Sequence, residues 1–150
     1  MRKILATAAA LGLAGLGVLV PVGGAQAATP CDAVWSSAVP GYLHAYDGTD
    51  CATVLGRASG DDANWGDSSG PFQGGDTNRA SSVLHKGASG LAVKILDGTG
   101  QDWDGGHVCL TGSQRYASDL SEHTFSDGTG ADNAISSHTW VLAADCGTFL

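Results

Sequence analysis

Helical periodicity is what the chain most lacks: beyond residue 27, no stretch of ten or more residues carries apolar side chains at 3.6-residue spacing. That excludes a helical bundle and a doubly wound α/β architecture. Basic residues are scarce. Seven Lys and Arg stand against 15 Asp and Glu, and without Arg2 and Lys3 the balance is five against 15, a net charge of −10. Such a surface repels phosphate backbones and anionic headgroups, so neither nucleic acid nor a membrane is an expected partner of the mature chain. Close histidine pairs are missing as well. His44, His85, His107, His123 and His138 form no H-E-x-x-H or similar spacing, which argues against a catalytic zinc.

Only one long apolar run occurs. Arg2 and Lys3 precede 17 apolar or small residues from Ile4 to Val20, and Ala25-Gln26-Ala27 supplies a small-x-small cleavage site. Residues 1–27 therefore read as a secretory signal peptide. Gly12, Gly15 and Gly17 dilute the run and Pro21 stops it, whereas a spanning helix needs about 20 apolar residues. The expected product is a secreted, extracellular chain of residues 28–150, a length suited to one compact domain.

What the mature chain has in quantity is aspartate, glycine and an even set of cysteines. Glu122 is the lone glutamate among the acids, and the 14 aspartates favour turns and offer oxygen ligands. Cys31, Cys51, Cys109 and Cys146 show no metal-type spacing and suit two disulfides. Three pairings are formally possible. Cys31 with Cys51 and Cys109 with Cys146 is favoured, because each bridge then closes within one half of a duplicated chain.

The duplication is legible in order. Strand signals at residues 42–46 and 52–56 flank an Asp47-Gly48-Thr49 turn, and a polar stretch at 59–76 precedes a strand at 81–85. The second half repeats the scheme. Residues 91–96 form the clearest strand, Asp97-Gly98-Thr99 repeats the turn, and residues 107–110, a polar excursion at 111–130 and a strand at about 135–142 follow. Two short segments mark the repeat, Thr77-Asn78-Arg79-Ala80-Ser81-Ser82 and Asp132-Asn133-Ala134-Ile135-Ser136-Ser137, 55 residues apart. The fold expected is all-β: two Greek-key motifs, about 41–86 and 89–146, packed as a sandwich.

One sequence trap is set aside. Gly66-Asp67-Ser68-Ser69-Gly70 satisfies G-x-S-x-G, but no buried strand precedes it and no helix follows, so Ser68 is not read as a nucleophile and the chain is expected not to be an enzyme. Trp35, Trp65, Trp103 and Trp140 read as core and loop anchors.

The paired segments resemble the calcium-binding signature of βγ-crystallin domains. With the two-disulfide frame, the Trp65 to Phe72 loop and the run from Asn78 to Val83, residues 31–150 are similar to small secreted actinomycete proteins grouped with the streptomycete metalloproteinase inhibitor. The resemblance implies a βγ-crystallin-like sandwich and a secreted, monomeric, non-enzymatic inhibitor of a metalloprotease-type peptidase. It implies Ca²⁺ held by Asn78, Ser81, Asp132, Asn133 and Ser136, the two loops completing each other's sites. The second segment matches at every position. The first departs at Thr77, where an acid or amide is expected, and at Arg79, whose charge opposes a cation, so one calcium site is expected rather than two. The family's aromatic hairpin signature is altered as well, with Cys51 at an aromatic position and Trp103 two residues late. For a secreted protease as partner, residues 59–76 with Trp65, Pro71 and Phe72 form the candidate contact loop, and residues 111–130 a second. The alternative is an extracellular calcium-binding structural module without inhibitory activity.

Overall fold

In the computed structural model, the described residues are 30–100 and 105–150. The expected signal peptide at residues 1–27, Trp103 and Asp104 lie outside them. Helix α1 (Pro30–Ser37) is followed by strands β1 (Leu43–Asp47), β2 (Thr53–Ala58), β3 (Ser82–His85), β4 (Ala92–Leu96), β5 (His107–Leu110), β6 (Tyr116–Ala117) and β7 (Ser137–Val141). The strands form two antiparallel sheets, in the orders β2-β1-β3-β6 and β5-β4-β7.

Strand β6 belongs to the second half of the chain yet pairs with β3 of the first, through Val83 opposite Ala117. The reciprocal exchange is a single bridge. Asp62 of the first half pairs with His138 of β7, each N–H donating to the other's carbonyl, at 3.0 and 2.8 Å. Both pairings tie one half of the chain to the other.

Backbone bonds obey the same repeat. Asn78 N–H donates to the Ile135 carbonyl at 2.8 Å, and Asn133 N–H to the Ala80 carbonyl at 3.0 Å. Trp65 N–H donates to Ser136 and Leu120 N–H to Ser81, both at 2.9 Å. Ser82 and Ser137 donate their hydroxyls to the Gly48 and Gly98 carbonyls, tying each motif segment to its own Asp-Gly-Thr turn. Gly48 needs its positive φ of 107° there.

The main core lies between the sheets. Leu43, Ala45 and Val83 come from one, Val93, Ile95, Val108 and Leu110 from the other, and Trp65, Phe72, Leu120, Phe125 and Ile135 fill the space from loops. Close-packed side chains of this kind contribute roughly 1.5 to 3 kcal/mol each on burial. A second cluster joins Tyr46 and Leu84 to Cys31 and Cys51, with Val34, Trp35 and Ala38 of α1 against it. This explains why β3 is buried along its whole length rather than alternating.

Helix α1 occupies what the sequence presents as a plain lead-in. Its eight residues are too few to display a 3.6 period; Pro30 suits a first turn and Asp32 complements its dipole. Tertiary contacts hold it. Trp35 Nε1 donates to the His85 carbonyl at 3.3 Å, and its ring takes Lys86 Nζ at 3.1 Å and the Arg115 guanidinium at 4.0 Å from the centroid. The disulfides are Cys31–Cys51 and Cys109–Cys146, the favoured pairing. No described helix is long and apolar enough to cross a membrane.

Candidate functional site

The two motif segments meet in the middle of the molecule. Asn78 and Asn133 adopt left-handed backbone, φ 56° and 53°, a conformation that asparagine tolerates better than most residues. The first turn places its side chains against the second segment. In the first, Thr77 Oγ1 donates to Ser136 Oγ at 3.2 Å, and Ser136 Oγ donates to Asn78 Oδ1 at 2.8 Å. Hydroxyls and amide thus satisfy one another.

The second differs where its sequence differs. Asp132 stands at the position of Thr77, and Asn133 Nδ2 donates to Asp132 Oδ2 at 2.9 Å, but Asp132 Oδ1 is buried and has no hydrogen-bond partner among the described residues. Ser81, the counterpart of Ser136, is buried. An orphaned carboxylate oxygen costs about 1 to 3 kcal/mol or more unless a donor or a cation meets it. Arg79 does not sit idle at the first segment: its guanidinium pairs with Asp47 of β1. It is therefore Thr77, which supplies no carboxylate, that most separates the first segment from the second.

The candidate contact loop requires a correction. Trp65 and Phe72 are fully buried and stack with ring centroids 3.9 Å apart, so they anchor the loop and cannot meet a partner; of the three named residues only Pro71 is exposed. The sequence hides this because their shared partner, His138, lies on β7. Trp65 Nε1 donates to His138 Nδ1 at 2.9 Å, which leaves the proton on Nε2 to donate to the Gly60 carbonyl at 2.9 Å. Burial pushes the His138 pKa down to about 4, against smaller opposing effects of the Gly60 carbonyl and the Asp62 and Asp61 charges.

Asp62 closes the neck of the loop. Its buried carboxylate accepts from Asn64 N–H at 3.1 Å through one oxygen and from Phe72 N–H at 3.1 Å through the other. Between these anchors residues 66–71 are exposed, braced by Gly66 N–H to Asn64 Oδ1, Ser69 N–H to Asp67 Oδ1 and Gly74 N–H to the Asp67 carbonyl. Gly70 has φ 85°, and a Cβ there would come within 2.8 Å of Asp62 Oδ2. The loop is fixed and turned rather than extended. Ser68 is exposed within it. Among the described residues no three His, Cys, Asp or Glu side chains gather as a metal cluster, so a cation site here combines at most two such side chains with amide, hydroxyl and carbonyl oxygens.

Two antiparallel sheets that exchange strands between duplicated Greek keys define the class: an all-β double-Greek-key sandwich. The architecture is that of the βγ-crystallins. A solved structure reported as "Evolution of the eye lens beta-gamma-crystallin domain fold" matches with a TM-score of 0.52, over 69% of this chain and 88% of that one, at 16% sequence identity. No protein-family model and no curated protein matches the chain.

Proposed function

We propose that the mature chain is a secreted, non-enzymatic βγ-crystallin-type module that binds one calcium ion at its second motif segment. The observation that carries this reading is the partnerless, buried Asp132 Oδ1. Asp132 and Asn133 from one loop and Ser81 from the other are the side chains that would hold the ion, backbone carbonyls and water completing the six to eight oxygens that calcium takes. Calcium bound there supplies stability, joining the two halves. The two disulfides suit an oxidising extracellular setting. Calorimetric titration with calcium chloride tests the reading: one site is expected for the native chain and none for Asp132→Ala, which removes the side-chain oxygens altogether. No heat of binding, together with identical melting in chelator and in millimolar calcium, would overturn it.

A second reading, inhibition of a secreted metalloprotease-type peptidase by the monomer, is favoured by a different observation. Residues 66–71 are exposed and braced at both ends by Asp62, Trp65 and Phe72, and a pre-ordered loop docks at lower entropic cost. Titration against secreted metalloproteases and serine proteases is expected to show stoichiometric loss of activity for one class. Full activity in both at excess protein would reject it.

A further inference from the structure

Strand β7 begins at the motif segment and ends at a groove. There, a hollow of about 440 Å³ is bounded by Ser59, Asp61, Gly87, Ser89, Leu91 and Trp140. A second hollow of about 320 Å³ shares Gly87 and Leu91 and continues to Thr111 and Ser113. The two adjoin at the connection between the halves, and each is of a size usual for ligand sites.

The walls are fixed. Trp140 Nε1 donates to the Gly60 carbonyl at 3.1 Å, and its ring lies so close to Gly87 that a Cβ there would come within 2.5 Å of it. His85, the repeat counterpart of Trp140, meets that ring edge-on with centroids 5.2 Å apart. Asp61 Oδ1 accepts from the Trp140 N–H at 2.7 Å, while Oδ2 takes part in no hydrogen bond among the described residues.

Among the described residues the ion pairs are Arg79–Asp47 and Arg115–Asp32, and neither involves Asp61. His85 accepts from Gly87 N–H on Nδ1 at 3.2 Å and donates from Nε2 to the Leu91 carbonyl at 2.9 Å, and burial lowers its pKa, so it is neutral at pH 7. Lys86 is turned away, its ammonium on the Trp35 ring and the Trp35 carbonyl. The groove therefore presents an indole wall, hydroxyls and one open carboxylate on a protein of formal charge −8.

We propose that this groove binds a basic peptide segment, with a lysine or arginine side chain over the Trp140 indole and its charge on the open Asp61 oxygen. An aromatic face and a carboxylate together suit an ammonium or guanidinium, by cation–π attraction and a charge-assisted hydrogen bond. A neutral saccharide could use the same wall and hydroxyls but gains nothing from the net charge, which draws cations specifically. The site is separate from both motif segments and from residues 66–71.

Amide NMR of the mature chain tests it, with acetyl-Gly-Arg-Arg-Gly-amide as probe, the Glu-Glu analogue as charge control and an N-acetylglucosamine hexamer as neutral rival. Saturable shifts of the Trp140 indole and the Gly60, Gly87 and Ser89 amides are expected with the arginine peptide alone. Asp61→Asn keeps the acceptor for Trp140 N–H and is expected to weaken binding at least tenfold; Glu122→Gln, an equal charge change elsewhere, is expected to leave it unchanged. Should Asp61→Asn misfold, Ser89→Lys sets a cation in the groove without touching the Asp61 bond, and is expected to abolish binding. The proposal is overturned if the arginine peptide shifts none of these signals, if the hexamer shifts the same set, if Ser89→Lys binds normally, or if Glu122→Gln weakens binding as much as Asp61→Asn.

Discussion

Trp65 and His138, 73 residues apart in sequence, share a buried hydrogen bond of 2.9 Å that joins the exposed loop of the first half to the last strand of the second. The bond requires neutral His138. Trp65 donates to one ring nitrogen, and a proton there would remove the acceptor and set a charge in the core.

Stability should therefore fall with acid in a defined window. The His138 pKa drops from the usual 6.5 to about 4 on folding, so between these values the unfolded chain binds a proton that the folded chain refuses. The contribution is fully present above pH 6.5, is lost as pH falls towards about 4, and is flat below. Its size is about 3 kcal/mol. His44 and His85, also lowered chiefly by burial, act in the same direction. Urea unfolding at pH 7, 5.5 and 4 should show a shallower decline for His138→Asn than for the native chain, and equal slopes would refute the assignment.

Phe72 and Pro71 are neighbours with opposite roles. Phe72 stacks on Trp65 and also lies against Gly56 of β2, where an added Cβ would come within 2.9 Å of its ring. Phe72→Ala should cost about 3 to 5 kcal/mol by cavity formation. Pro71→Ala, at an exposed position, should stay within about 0.5 kcal/mol. Should the loop inhibit a protease, Pro71→Ala is the variant to change inhibition without changing the melting temperature.

The duplication could be read from residues because it is written in short local signals. Asp47-Gly48-Thr49 and Asp97-Gly98-Thr99 set two turns, the paired Asn and Ser positions set two segments, and the clearest strand, residues 91–96, became β4 at Ala92–Leu96. Non-local features could not be read. The two-residue β6 and the Asp62–His138 bridge exist through pairing with distant strands, and neither carries a periodic pattern of its own. The polar run around Trp65 and Phe72 looks like surface because the composition of its neighbours conceals two core aromatics. The candidate calcium segment was visible as a pattern; only coordinates show that Thr77 closes its own hydrogen bonds while Asp132 leaves an oxygen open.

That contrast makes a gain-of-site prediction. If calcium binds at Asp132, Thr77→Asp gives the first segment the same acid, opposite Ser136. Calorimetric stoichiometry should rise from one ion to two, and binding at about 100 times the dissociation constant should add about 2.7 kcal/mol per site. A stoichiometry held at one would locate the obstacle at Arg79 and its Asp47 pairing instead.

Cys31–Cys51 should prove separable from the sandwich. It closes a 20-residue span and tethers α1 to the turn between β1 and β2, beside Tyr46 and Leu84, whereas β1 itself is held by its pairing with β2 and β3. Replacing both cysteines by serine should lower unfolding free energy by about 3 kcal/mol, the loop-entropy value for a span of this size. The loss should be local in structure as well. With the tether gone, α1 keeps the contacts of Trp35 with Lys86, Arg115 and the His85 carbonyl, the Asp32–Arg115 ion pair and the packing of Val34 and Ala38, and an eight-residue helix is not stable alone. Hydrogen exchange should therefore quicken in α1 while β1 and β4 amides stay protected. Equal deprotection of β4 would show instead that the helix and its disulfide support both sheets.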